Sequence, residues 1–187
     1  TTFLVSDPLP ASMTYVPGSI KVSVNGGAFT VKTDTADNDG VKYDAATRSV
    51  IAPDGAAVLN VSAGQSWAVQ FQATLNTGTA SGSAVVNQAT ISYTSGTSNI
   101  TIQTNGDTIL VSQLAGIDLT SAATPITGNP GDKIIYPFTV TNNGNAADTV
   151  NLSTSSTQGW TWAIWADANG DGIPGNKRQL RHKRIDV

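Results

Sequence analysis

Two Asp-rich stretches hold the residues whose types and spacing suit chemistry. Asp167, Asn169 and Asp171 stand at alternate positions, followed by Gly172. Oxygen ligands at that spacing converge on one hard cation, and the glycine permits the sharp turn. The carbonyl of Ile173 is the next ligand in such a loop, and calcium is the cation it suits. A helix–loop–helix calcium site needs a bidentate Glu at its twelfth position, where this chain has Arg178. The preceding segment reads as strand, so the expected site is a calcium loop between strands. The competing reading is a turn whose Asp and Asn side chains bond their own backbone.

The second stretch holds Asp34, Asp37, Asp39 and Asp44, with Asn38 and Gly40 between them. Carboxylates this close repel unless they are solvated or neutralised. They form a second metal candidate, with a solvated loop as the alternative. Glycosidase chemistry needs two carboxyls held across a cleft with pKa values driven apart. A polar hairpin loop does not supply that arrangement. The single His182 has no Ser or Cys context, and the chain has no Cys for disulfides or thiolate metal sites. No catalytic residue is assigned, and an enzyme is not expected.

Trp160, Trp162 and Trp165 raise the question of a sugar-binding platform. By alternation Trp160 and Trp162 share a face with Ile164, which reads as core. Trp165 lies on the opposite face and is the ligand-binding candidate. Asn87 falls on the inward face of its strand, so its amide is expected to bond backbone. Lys21 and Lys133 fall on polar faces, so an intramolecular Lys–Asn bond is not expected.

The elements that position these residues read as strands. Charged residues are 12% of the chain, and all thirteen acids are Asp. The best polar helix formers are scarce, while Thr, Ser, Val, Asn and Gly suit strands and turns. The expected fold class is all-β. One pattern occurs twice: AGQSWAVQFQATLN at 63–76 and PGDKIIYPFTVTNN at 130–143. Each has a Gly-led turn before an alternating strand, expected at 67–75 and 133–141, with Pro137 marking an edge or bulge. Asn25-Gly26 predicts a tight hairpin after 20–24. Further strands are expected near 3–5, 49–52, 58–61, 85–93, 100–102, 108–111, 149–153 and 160–166. The recurrence suggests tandem modules over 1–112 and 113–176. Residues 1–176 carry a net −7, whereas 177–187 carry +4. That basic tail is expected to be unstructured, and no nucleic-acid partner is expected.

The runs VSDPLPASMTYVPGSI (5–20), YDAATRSV (43–50), SAGQSWAVQFQATLN (62–76) and VVNQATISY (85–93) resemble the conserved repeat domain of bacterial and archaeal surface proteins, also called domain of unknown function eleven. PGDKIIYPFTVTNNGNAADTVNLS (130–153) and GWTWAIWADANGDG (159–172) are similar to related Ig-like repeats of long secreted proteins. The resemblance covers roughly residues 3–175 and implies tandem Ig-like Greek-key β-sandwiches. It transfers no catalytic residue. The opening strand pair is missing before Phe3 and the tail after Gly175 matches nothing, so modules incomplete at both ends are expected. The implied role is a non-catalytic structural or adhesive segment, extracellular or in the cell envelope, with calcium as a stiffener. Its implied partners are neighbouring repeats of the same chain and surface glycans or proteins. The alternatives are a carbohydrate-binding or accessory module of a secreted hydrolase, or a filament subunit assembled by strand donation. No run of about 18 apolar residues predicts a membrane span.

Overall fold

The computed structural model describes residues 3–55, 61–121, 125–167, 170 and, as backbone, 184–186. Among these the protein is all-β. The chain divides into two compact units, Thr1–Ser112 and Gln113–Val187.

In the first unit the strands are β1 (Phe3–Pro8), β2 (Met13–Tyr15), β3 (Lys21–Val24), β4 (Thr30–Val31), β5 (Lys42–Asp44) and β6 (Ser49–Ala52). They continue as β7 (Trp67–Gln70), β8 (Ala73–Leu75), β9 (Ala84–Asn87), β10 (Thr90–Ser95), β11 (Ser98–Gln103) and β12 (Asp107–Leu110). A five-stranded sheet has the order β11-β10-β1-β6-β5, beside β4-β3-β7 and the pairs β2-β8 and β12-β9. Every ladder described is antiparallel. Leu9, Tyr15, Ile20, Val22, Val41, Val50 and Ala52 form the core, with Val5, Tyr43, Trp67, Val69, Phe71 and Ala73 packed against it. That cluster joins the five-stranded sheet to strands β2, β3, β7 and β8, as in a β-sandwich. Burying alternate apolar side chains between two layers is what stabilises these short strands.

The Asn25-Gly26 turn forms with positive φ at both residues, 52° and 69°, and Gly27 N–H bonds the Val24 carbonyl at 3.0 Å. The 67–75 segment alternates in burial throughout but is two strands. Its partner chain turns away at Pro17-Gly18, so β7 pairs with β3 and β8 with β2. Between them Gln72 N–H donates to the Ser19 hydroxyl at 3.0 Å, while its carbonyl still accepts from Val16 N–H at 3.0 Å. Of the expected strand at 58–61, residues 58–60 lie outside the described residues.

The second unit holds β13 (Ile117–Ser121) paired with β14 (Phe138–Asn142), and β15 (Thr149–Asn151) paired with β16 (Arg184–Asp186). The basic tail therefore includes a paired strand at 184–186, contrary to the expectation of an unstructured end. Strand β15 has edge backbone groups to satisfy, and an extended tail supplies partners for them. The strand expected at 133–141 begins only at Phe138. Pro137 lacks the N–H a ladder needs, and pairing starts directly after it. The turns before the two repeat copies match. Gly64 and Gly131 have φ of 81° and 95°, and each turn closes with an i+3 N–H to i carbonyl bond, Gln65 to Ser62 and Asp132 to Asn129. A positive-φ third residue is what a type II turn requires. At Gly144 a Cβ would stand 2.5 Å from the Leu114 carbonyl oxygen, so the close pass beside 114–116 needs glycine.

The expected strand at 160–166 does not form. Only Trp165 makes an isolated bridge there, and the chain turns just before it, where the Ser156 hydroxyl accepts from Gln158 N–H at 3.2 Å and Trp160 N–H at 3.1 Å. Among the described residues no helix is long and apolar enough to cross a membrane.

Candidate functional site

The Asp-rich loop of the first unit is where acidic side chains converge. Asp37, Asp39 and Asp54 place carboxylate oxygens within 4.8 Å of one another. The hairpin β5–β6 explains the third member. Its register pairs Lys42 with Ile51, and three residues further out on each side Asp39 comes opposite Asp54. Asp54 is 1% exposed, and its Oδ2 accepts from Asn38 N–H at 2.8 Å. Asn38 sits at φ 72°, a left-handed conformation Asn tolerates better than most residues.

The rest of the loop is tied by its own carboxylates. Asp39 Oδ2 accepts from Thr33 N–H at 2.7 Å, and Asp39 Oδ1 from Val41 N–H at 3.3 Å. Asp37 Oδ2 accepts from the Thr33 hydroxyl at 2.9 Å, and Asp37 Oδ1 from Asp39 N–H at 3.3 Å. The four-membered cluster read from the sequence is thus corrected. Asp34 turns away to accept from the Tyr15 hydroxyl and, at 2.8 Å, from Gly18 N–H. Asp44 caps the β5–β6 turn, accepting from Ala46 N–H at 2.9 Å. These two acids hold turns, while Asp54 takes a place in the cluster that sequence spacing gave no reason to assign it.

Chemically, the cluster suits a hard cation. Calcium binds oxygens at about 2.3–2.6 Å, so two ligands on opposite sides of one ion stand roughly 4.8 Å apart. Like charges about 4 Å apart repel by about 1 kcal/mol in bulk water and about 4 kcal/mol near a protein surface. A divalent ion reverses that sign. The hydrogen bonds above hold these carboxylates in their positions.

Tyr15 is the loop's anchor to the core. Its ring stacks on Tyr43 with centroids 4.0 Å apart and meets Phe71 at 6.4 Å. Burial, then the Asp34 hydrogen bond, pushes its hydroxyl up to about 12 from 10.0. A raised folded-state value means that this stabilisation is complete below pH 10 and fades as pH climbs from 10 through about 12. Tyr15→Phe is expected to cost about 1.5–3 kcal/mol in urea unfolding at neutral pH, the range for a hydrogen bond to a charged group. The variant should also lose this site's alkaline destabilisation. An unchanged midpoint at neutral pH would refute the anchoring role.

Of the first sequence candidate, Asp167 Oδ1 accepts from Gly170 N–H at 3.0 Å. Asn169, Asp171 and Ile173 lie outside the described residues, as do Arg178 and His182. The Trp assignments change. Trp160 and Trp162 do share a side, with rings 6.3 Å apart, but that side is not core: Trp160 is 59% exposed. Ile164 alone of that set is buried. Tyr136 joins them, 5.5 Å from Trp162, so the exposed aromatic group is Tyr136, Trp160 and Trp162. Trp165 is exposed as well but has no aromatic neighbour among the described residues. Asn87 bonds the Asp7 carboxylate rather than backbone. In the comparisons with known proteins, no family model, curated protein or solved structure matches this chain.

Proposed function

We propose that this chain is a non-catalytic structural segment of an extracellular prokaryotic surface protein, transmitting force or spacing a display surface, with Ig-like repeats as its modules. The observation that carries this reading is the position of β1. It lies between β6 and β10 in the middle of the five-stranded sheet, bonded on both sides. Tension entering the unit along the chain acts on β1, and drawing that strand out breaks two ladders together. At the other end Val111 is buried, donates to the Ser83 carbonyl at 2.9 Å and accepts from Gly82 N–H at 2.9 Å. Both ends of the unit are thus held by backbone pairing.

The use of its acids supports the same reading. Asp34, Asp37, Asp39 and Asp44 accept backbone or hydroxyl hydrogens within turns and loops. Calcium at Asp37, Asp39 and Asp54 would tie the loop before β5 to the end of β6, stiffening the sheet edge. The resemblance to surface-protein repeats points the same way. Single-molecule stretching tests the proposal: a force-transmitting module ruptures in one discrete event, and smooth extension at low force would refute it.

A further inference from the structure

Strand β9 leads into β10 through residues 88–89, and β11 leads into β12 through residues 104–106. The ladders pair Thr90 with Gln103 and Asn87 with Asp107, so three residues, 104–106, face two, 88–89. This is a β-bulge with its extra residue on the β11–β12 side. One end of it is pinned. Thr104 N–H donates to the Ala89 carbonyl at 2.9 Å, and the Thr104 hydroxyl accepts from Ala89 N–H at 3.0 Å. Asp107 begins the β12 ladder at the other end. Between them Asn105 and Gly106 are exposed, and neither the Asn105 carboxamide nor the Gly106 N–H bonds a described residue. A Cβ on Gly106 would stand 2.8 Å from Val86 Cγ1, so the bulge lies close against β9.

We propose that Asn105-Gly106 is a self-modification site, at which the folded chain deamidates with water as the co-reactant. The Gly106 backbone nitrogen gives up its proton to solvent base and attacks Asn105 Cγ. The new C–N bond closes a succinimide ring, and the side-chain nitrogen takes up a proton and leaves as ammonia. Water then opens the ring. Addition at Cγ leaves aspartate. Addition at the Asn105 main-chain carbonyl leaves isoaspartate, with the backbone routed through the former side chain. A glycine exposes the attacking nitrogen because it has no side chain to cover it. Asn25-Gly26 and Asn143-Gly144 share that feature but are held. The Asn25 carboxamide oxygen accepts from Ser66 N–H at 2.9 Å, and Asn25 N–H donates to the Ser66 carbonyl at 2.8 Å. The Asn143 side chain donates to Asp118 at 3.2 Å, and the attacking group itself, Gly144 N–H, donates to Asn142 Oδ1 at 2.8 Å. Ring closure must break these bonds, whereas Asn105 has none of the kind to break. The isoaspartyl product adds one backbone carbon to the longer side of the bulge, so the strain falls on the β9–β12 ladder. The site goes beyond the structural role and does not depend on the loop at 33–41.

Ageing the full folded chain in mildly alkaline buffer, followed by peptide mapping with mass spectrometry, tests the proposal. Among these three pairs Asn105 is expected to convert first, with Asn25 and Asn143 at least about tenfold slower because hydrogen bonds hold them. In concentrated urea the three should convert at similar rates. Asn105→Gln should stop conversion at this site, since the longer side chain has to close a larger ring, and should leave the urea midpoint unchanged. The isoaspartyl form, separated by ion exchange, should show faster amide hydrogen exchange along β9. Asn105→Asp should not, because it adds the charge without the extra carbon. Conversion of Asn25 or Asn143 as fast as Asn105 in the folded chain would overturn the assignment. So would a lead for Asn105 that persists in urea, or an Asn105 that stays intact in the folded chain while the chain in urea converts. Equal exchange along β9 in the isoaspartyl and unmodified chains would overturn the effect on the ladder.

Discussion

Ile20→Ala is expected to destabilise the first unit by about 2–5 kcal/mol, the range for large-to-small changes at buried aliphatic sites. Ile20 and Val41 are both 0% exposed, at the centre of the cluster that joins the two layers. Removing three carbon atoms there forfeits their transfer from water and leaves a cavity that β-sheet neighbours cannot close without losing register. Against a typical domain stability of about 5–15 kcal/mol, the loss is a large share. Urea unfolding followed by circular dichroism should show the midpoint fall with little change in slope. Val24→Ala, at a position 51% exposed on β3, should change stability by less than about 0.5 kcal/mol. Comparable losses at both positions would mean that the core lies elsewhere.

Calcium is expected to raise the melting temperature of the chain, with chelation reversing the rise. An ion that binds only the folded loop adds about 2.7 kcal/mol at one hundred times its Kd. Extracellular calcium modules bind at about 0.1–1 mM, so the effect should appear at millimolar calcium. Asp37→Asn with Asp39→Asn should abolish the shift. Asp54→Asn should abolish it and also weaken the apoprotein, because Asp54 is buried and holds the Asn38 N–H. The combination Asp167→Ala and Asp171→Ala should leave the shift in place if the loop of the first unit holds the ion. Loss of the shift in that variant would move the site to the loop after Trp165. No shift in the wild-type chain would remove calcium from the account.

The parts legible in the sequence were those governed by local chemistry. Scarce helix formers and alternating apolar residues led to an all-β fold. Asn25-Gly26 and the glycines at 64 and 131 marked turns because only a few residues adopt positive φ cheaply. Properties set by a distant partner were not legible. The split of 67–75 follows from a turn some fifty residues earlier in the chain, at Pro17-Gly18, which no periodicity within 67–75 records. Asp54 joined Asp37 and Asp39 through hairpin register, while the nearer Asp34 and Asp44 were drawn off by Tyr15 and by the β5–β6 turn. Trp160 and Trp162 do lie together, though without the strand their alternation implied, and periodicity does not say which side faces water. The pairing of β15 with 184–186 was hidden by the tail's charge, since backbone pairing is indifferent to composition when an edge is free.

Single-molecule stretching of the whole chain is the most direct test of a force-transmitting role. The first unit should rupture in one cooperative event. Its unfolded contour should be about 37–40 nm, from 112 residues at roughly 3.3–3.6 Å each, and the gain is that length less the folded unit's end-to-end distance. Val5→Pro, which removes a ladder donor from the central strand, should lower the rupture force. Gradual extension without a discrete rupture, or a force indifferent to Val5→Pro in a folded chain, would contradict it.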